Sequence, residues 1–151
     1  MALIYESRNF IVASADRPLI DREDGGHIII EPKRKIVDRQ QLKASEAIEF
    51  MRLTLIVGEA MKTVLSAHGI TIGRINYQDN GNWRHQLHVH LYGRARGATL
   101  QPYGQPLAFP PTREAFMADM GDLEALNDGD VAALNHEIVR LLGTDKYVGF
   151  W

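Results

Sequence analysis

Three of the six histidines of this chain fall within the stretch RHQLHVHLYGR, residues 84–94. Alternate residues of a β-strand share a face, so a strand here would place His88 and His90 on one face together with Gln86. His85 has the opposite parity and would point away from them. Two histidines about 6.6 Å apart along one strand face suit a metal site, a structural polar surface or phosphate chemistry.

The residues that follow this histidine pair favour phosphate chemistry. A metal site needs a further histidine or carboxylate, whereas residues 93–96 contain two arginines and no acid. Arginine suits a phosphate better than a dication. A neutral imidazole can attack phosphorus, and a second imidazole can hold the phosphate oxygens or donate a proton. The pair therefore indicates a phosphate site, with the metal and structural interpretations still open.

The composition narrows the class of protein. A chain of 151 residues with 45% hydrophobic residues has the size and composition of one globular domain. It has no cysteine, which excludes disulfides and thiolate chemistry. A net charge of −2 gives no positive field for nucleic acid. No apolar run approaches the ~18 residues of a membrane span, and Glu6 and Arg8 interrupt any signal peptide. We expect a cytoplasmic protein without nucleic-acid or membrane partners.

The hydrophobic pattern predicts a sheet covered by one long helix. Strands are predicted over residues 9–14, 27–32, 70–77 and 86–92, the last two joined as a hairpin through the turn sequence QDNGN. Residues 44–67 have an apolar stripe at helical spacing, and Gly69 supplies the stop. The stripe is broad, which leaves some apolar surface for a partner.

The pattern changes in the last third of the chain. The segment LQPYGQPLAFPP holds four of the six prolines and predicts an irregular connection. A short helix is predicted over 112–116, then a longer helix capped by Asp128 or Asp130 and a docked apolar tail, YVGFW. The expected fold class is α+β in a single domain over 1–151, with a core over about 9–96 and a C-terminal helical extension over about 97–151.

Several other polar or aromatic residues lie in the predicted turns, helices and strand ends. Trp83, in the turn before the histidine pair, would either stack on a base or seal the hairpin. His68 and His136 are expected on exposed helix surfaces without partners. Arg94 and Arg96 would either reach a phosphate or pair with acidic side chains.

Three stretches together resemble the histidine triad (HIT) superfamily. QLHVHLYGR is similar to the motif His-φ-His-φ-His-φ-φ, where φ is apolar, with Gln86 in the first histidine position. GGHIIIEPKRK resembles the early strand of the family, and a long helix follows it, as it does in the family. INYQDNGNWRHQLHVH resembles the family hairpin. The similarity extends over about residues 9–94.

The resemblance implies an antiparallel sheet with one long helix packed on it, assembled as a homodimer. Members bind nucleotides and cleave or transfer at the α-phosphate through a nucleotidyl-histidine intermediate. By this resemblance His88 is the catalytic nucleophile, and His90 contacts the phosphate oxygens or the leaving group. His27, Asn76 and Asn82 match positions of the nucleotide pocket.

The departures from the family pattern define the competing hypotheses. Gln86 replaces the first histidine, whose role in the family is carried largely by its backbone carbonyl. Gln86 and Trp83 are both expected to bind the nucleotide or its phosphate. Lys35 stands where many members have another histidine, and Asp16 is the candidate that would hold the ribose hydroxyls. The expected activity is hydrolysis or transfer on nucleoside phosphoramidates or dinucleoside polyphosphates, with a purine nucleotide or nucleotide conjugate as partner and no metal or other cofactor.

Two other hypotheses remain. The first is a nucleotide-binding module that has lost turnover because Gln86 cannot act as an acid or base. The second is a metal-dependent enzyme that uses His27, His88 and His90.

Overall fold

The computed structural model, which describes residues 1–79, 81 and 83–150, contains a five-stranded antiparallel sheet in the order β1-β2-β3-β5-β4. The strands are β1 (Ala2–Glu6), β2 (Phe10–Ser14), β3 (His27–Pro32), β4 (Ile72–Gln78) and β5 (Val89–Ala95). The helices within these described residues are α1 (Ala44–Ala67), α2 (Arg113–Asp119), α3 (Asp128–Leu142) and the single turn α4 (Asp145–Val148). The predicted α+β class, with one long helix and a C-terminal helical extension, is confirmed.

The core lies between one face of the sheet and α1. Alternate residues of the central strands, Ile28, Ile30 and Leu91, are completely buried on this face. The opposing side of α1 contributes Ile56 and Val57, which are also fully buried. The helix has the predicted bounds because its apolar stripe continues without a break over 24 residues.

Two strand predictions needed correction. β1 was not predicted, although it pairs with β2 and forms one edge of the sheet. The strand predicted over 86–92 begins only at Val89, because the backbone N–H of Leu87 donates to the carbonyl of Ile36 at 2.8 Å instead of to β4. β4 and β5 pair as in the predicted hairpin, but β4 ends at Gln78 and β5 begins only at Val89. Asn80 and Asn82 of the predicted turn lie outside the described residues.

The C-terminal extension is held by buried contacts to the core. α3 packs against α1 and β1 and buries Leu134 and Ile138 completely. Tyr147 is fully buried and Phe150 packs on the same core, so the tail is docked as expected as far as residue 150. None of the helices in the described parts of the chain has the length and hydropathy of a membrane span.

Asp130 joins three parts of the chain. Its fully buried carboxylate accepts hydrogen bonds from Arg22 Nε at 2.6 Å and lies 2.8 Å from Nδ1 of His68. Burial raises the pKa of Asp130, but its hydrogen bonds outweigh that effect and lower the pKa overall. His68 is exposed as predicted, but it has a partner that the sequence did not indicate. The predicted cap of α3, Asp128 or Asp130, is wrong: Asn127 caps the helix, its side chain accepting from the Asp130 N–H at 2.9 Å.

Candidate functional site

Two glycines bring His27 against β5. Gly25 and Gly26 have φ values of +130° and +75°, which favour glycine. They let the chain before β3 run close to Gly93, whose N–H donates to the Gly26 carbonyl at 3.0 Å. A Cβ atom on Gly93 would lie 1.9 Å from the Gly25 carbonyl oxygen. This close backbone approach sets the register in which His27 lies opposite Tyr92.

The face of the sheet opposite α1 carries a cluster of rings. The ring centroids of His88 and His90 are 4.7 Å apart, and those of His27 and His90 are 5.0 Å apart. Tyr92 stacks on His90 with an interplanar angle of 6°. The structure therefore brings together the two histidines that strand parity paired, and adds His27 from the neighbouring strand.

A chain of hydrogen bonds fixes the protons on two of these histidines. The backbone N–H of Leu19 donates to Nδ1 of His27 at 3.2 Å, and Nε2 of His27 lies 2.8 Å from Nδ1 of His90. Burial, with the charges of the other two histidines, lowers the pKa of His27 well below its usual value, so the ring is neutral. Since Nδ1 accepts, the proton is on Nε2 of His27, which donates to His90.

The bond from His27 also fixes the position of the proton on His90. Its Nδ1 accepts from His27, and burial, followed by the charges of His88 and Arg84, lowers its pKa to about 4. A neutral ring with Nδ1 as acceptor carries its proton on Nε2. That N–H is positioned as a hydrogen-bond donor.

His88 has the opposite tautomer. Its Nδ1 lies 2.7 Å from the backbone carbonyl of Gln86, which can only accept, so the proton is on Nδ1. The remaining nitrogen, Nε2, carries a free lone pair. Burial lowers the pKa of His88, partly offset by the Gln86 carbonyl, so the ring is neutral near pH 7. The amide of Gln86 points elsewhere and donates to the carbonyl of Pro32 at 3.2 Å.

The three imidazoles line an open cavity of about 700 Å³, a volume typical of small-molecule sites. Trp83 lies on its wall, with its ring centroid 5.5 Å from that of Phe116 in α2. One face of α2 contributes the residues at positions i, i+3 and i+4, namely Arg113, Phe116 and Met117. The sheet thus provides the polar floor and the C-terminal extension an aromatic and basic wall.

The other predicted binding residues lie outside this lining. Asn76 accepts a hydrogen bond on Oδ1 from Arg94 Nη1 at 2.8 Å. Arg94 also donates to the carbonyls of Pro102 and Gln105 and thereby holds the connection after β5 in place. Among the residues that the structure describes, it neither lines the cavity nor pairs with an acidic side chain, the two roles expected from the sequence. Asp16 pairs with the N-terminal amine. Asn82 lies outside the described residues.

Sequence reasoning missed several cavity residues. Arg17, Phe109, Arg113 and Phe116 lie in segments without a chemical motif, and only the fold brings them beside the histidines. The sequence contained one weak indication of this surface. Arg113 and Phe116 are three residues apart in a short helix, and a helix face with a basic and an aromatic residue is not typical of a core.

The HIT domain profile matches residues 2–97, which is more than half of the chain. The chain belongs to the HIT family. None of the curated proteins matches it. Within the described residues, no cluster of three or more histidine or acidic side chains has the arrangement of a metal site.

Solved structures of HIT proteins share the fold. A HIT protein from Sinorhizobium meliloti is 18% identical, with a TM-score of 0.64 over 92% of this chain and 87% of that one. A hypothetical histidine triad nucleotide-binding protein from Sulfolobus tokodaii is 14% identical, with a TM-score of 0.60 over 93% and 85%. A zinc-bound histidine triad family protein from Mycobacterium smegmatis is 18% identical, with a TM-score of 0.55 over 92% and 84%. HIT membership indicates a nucleotide-related hydrolase or transferase.

Proposed function

We propose that this HIT protein cleaves or transfers at the α-phosphate of a purine nucleotide conjugate, through a nucleotidyl intermediate on His88. The observation that carries the proposal is the pair of complementary tautomers: a free lone pair on Nε2 of His88 beside an N–H on Nε2 of His90. A nucleophile next to a hydrogen-bond donor is the arrangement that displacement at phosphorus requires.

The reaction proceeds in two displacements. Nε2 of His88 attacks the α-phosphorus, the bond to the leaving group breaks, and a phosphoramidate bond to His88 forms. The positive charge that develops on the ring is stabilised by the Nδ1–H bond to the Gln86 carbonyl. The N–H of His90 donates a hydrogen bond to a phosphate oxygen or to the leaving group, which departs with the bonding electron pair and takes a proton from solvent. Water or another acceptor then attacks the same phosphorus and gives its proton to solvent, the His88–phosphorus bond breaks, and the nucleotide leaves with His88 in its neutral form.

Gln86 is compatible with this mechanism, because it acts through its main chain. The carbonyl that orients His88 is present in any residue, and the Gln86 amide is engaged with Pro32. This supports an enzyme over a binding module that has lost turnover. The Trp83 and Phe116 rings, tilted by 52° to each other, supply aromatic surface on the cavity wall that suits a purine. Nucleoside phosphoramidates and dinucleoside polyphosphates are the proposed substrates.

A turnover assay tests this function. Adenosine phosphoramidate and diadenosine tetraphosphate are incubated with the protein, with and without chelator, beside His88→Ala. The matched control is His85→Ala, since His85 is exposed and outside the cavity. We expect turnover that survives the chelator, persists in His85→Ala and disappears in His88→Ala. Binding without turnover would support the binding module, and loss with chelator would support a metal-dependent enzyme.

The assembly is also a proposal. Ile48 and Met51 on α1 leave 40% and 49% of their surface exposed, which supports a homodimer through this helix. Light scattering of the purified protein tests it: a monomer mass at micromolar concentration would refute the dimer. The single domain over 1–151, the cytoplasmic location and the lack of a nucleic-acid partner remain predictions.

A further inference from the structure

The cavity lining has an excess of positive charge that the proposed reaction at one phosphate does not require. Three arginines line it, Arg17, Arg84 and Arg113, and no carboxylate lies among its described lining residues. Arg84 is paired with Glu31 through Nη2. Neither Arg17 nor Arg113 forms an ion pair with any residue that the structure describes, so two cationic groups face the cavity without a counter-charge.

Both unpaired arginines lie beside Met117. Nη1 of Arg17 is 3.4 Å from Sδ of Met117, and Arg113 is one helical turn before Met117 on the same face of α2. Side chains four residues apart on a helix are neighbours, with Cβ atoms about 6 Å apart. Two like charges that line one cavity without a counter-charge repel each other, and an anion bound between them would remove that repulsion.

We propose that Arg17 and Arg113 form an anion-binding pair that recognises a second negatively charged group of the substrate, beyond the phosphate attacked by His88. This inference rests on the proposed nucleotide function. Arginine presents paired N–H donors that match phosphate oxygens. Arg113 lies beyond the residues matched by the HIT domain, so half of the pair is contributed by the C-terminal extension.

The second anionic group has two possible positions in a nucleotide. It can continue from the α-phosphate, as in a polyphosphate chain, or it can be a phosphate on the ribose. Asp16, the acid expected to hold the ribose hydroxyls, is paired with the N-terminal amine, whereas its neighbour Arg17 lines the cavity. In dinucleotide-binding sites an acidic residue binds the ribose hydroxyls, whereas an arginine accommodates a phosphate on the ribose. An arginine near the ribose position would therefore suit a ribose phosphate. The shared requirement in both cases is a second phosphate.

Calorimetric titration of the intact protein separates these possibilities without turnover. The ligands are adenosine 5′-monophosphate, the non-hydrolysable α,β-methylene adenosine 5′-diphosphate, and adenosine 2′,5′-bisphosphate. We expect one of the two doubly phosphorylated ligands to bind at least ~10-fold more tightly than the monophosphate, since a hydrogen bond to a charged group contributes about that factor. The ligand that gains affinity identifies the position of the second phosphate.

Variants that each remove one positive charge test whether the gain in affinity comes from Arg17 and Arg113. In Arg17→Gln and Arg113→Gln the advantage of the second phosphate should fall by about tenfold, while affinity for the monophosphate changes less than twofold. Arg8→Gln is the control, because Arg8 is exposed, lies outside the cavity and changes the net charge equally. If the monophosphate binds but neither second phosphate adds affinity, the anion-binding pair is refuted and the proposed function stands. If none of the nucleotides binds, the proposed function fails and this inference fails with it.

Discussion

The proton on His90 is set by the backbone amide of Leu19 acting through His27, and replacing His27 tests this chain of hydrogen bonds. In His27→Phe, the buried N–H of Leu19 loses its acceptor and Nδ1 of His90 loses its donor. Each unsatisfied group costs about 1–3 kcal/mol, so we expect the free energy of unfolding to fall by about 2–6 kcal/mol. His27→Gln is the matched variant, since its amide can accept from Leu19 and donate to His90.

The kinetic effect follows from the tautomer of His90. Without the donor at Nδ1, His90 can carry its proton on either nitrogen, and the N–H no longer faces the substrate in every molecule. Losing a stabilising donor at a reacting oxygen costs about 100- to 1000-fold in kcat. Because His90 itself remains, we expect a smaller loss, about 10- to 100-fold, in His27→Phe, and less than ~10-fold in His27→Gln.

Three measurements together check this prediction. Urea denaturation gives the stability, steady-state kinetics give kcat, and nitrogen NMR of the ring gives the tautomer of His90. We expect a mixed tautomer in His27→Phe and the wild-type tautomer in His27→Gln. If His27→Phe keeps kcat within twofold and His90 keeps its tautomer, the backbone of Leu19 does not set the proton of His90.

Three further predictions concern stability. The pKa of His90 is lowered from 6.5 to about 4 in the folded protein, so only the unfolded chain binds a proton at this residue as the pH falls from 6.5 to 4. Denaturation at a series of pH values should therefore show the free energy of unfolding falling by up to ~1.4 kcal/mol per pH unit for this group. A free energy of unfolding that is constant over that range would contradict the prediction. Asp130→Asn should lower the free energy of unfolding by about 3–5 kcal/mol, because it leaves the partly buried Arg22 without its carboxylate; a loss below ~1 kcal/mol in urea would show that the pair is dispensable. Gly93→Ala should lower the melting temperature far more than Gly97→Ala, since a Cβ clashes with backbone only at the first position; equal melting temperatures would refute the close approach.

Local patterns predicted the parts of the fold that depend on nearby residues. Strand parity paired His88 with His90 and excluded His85, and the side chains are arranged in that way even though the regular strand begins only at Val89. The apolar stripe of α1 fixed its bounds for the same reason: a continuous amphipathic helix needs no information from distant residues.

Long-range contacts account for what the sequence could not predict. The partners of Asp130, Arg22 and His68, are 108 and 62 positions away in the chain, and no local pattern indicates either one. The same holds for Arg17 and Arg113, which belong to one cavity only because the C-terminal extension folds back over the sheet. β1 was missed because its short, partly exposed sequence is recognisable as a strand only through its pairing with β2.

The central claim is that Nε2 of His88 forms a covalent bond to the nucleotide. The most direct test is intact-protein mass spectrometry after rapid mixing with substrate and quenching at alkaline pH, followed by peptide mapping. We predict a mass increase of one nucleotidyl group, located on His88, that is labile in acid and absent from His88→Ala. Turnover that continues in His88→Ala, or an adduct that maps to another residue, would contradict the claim.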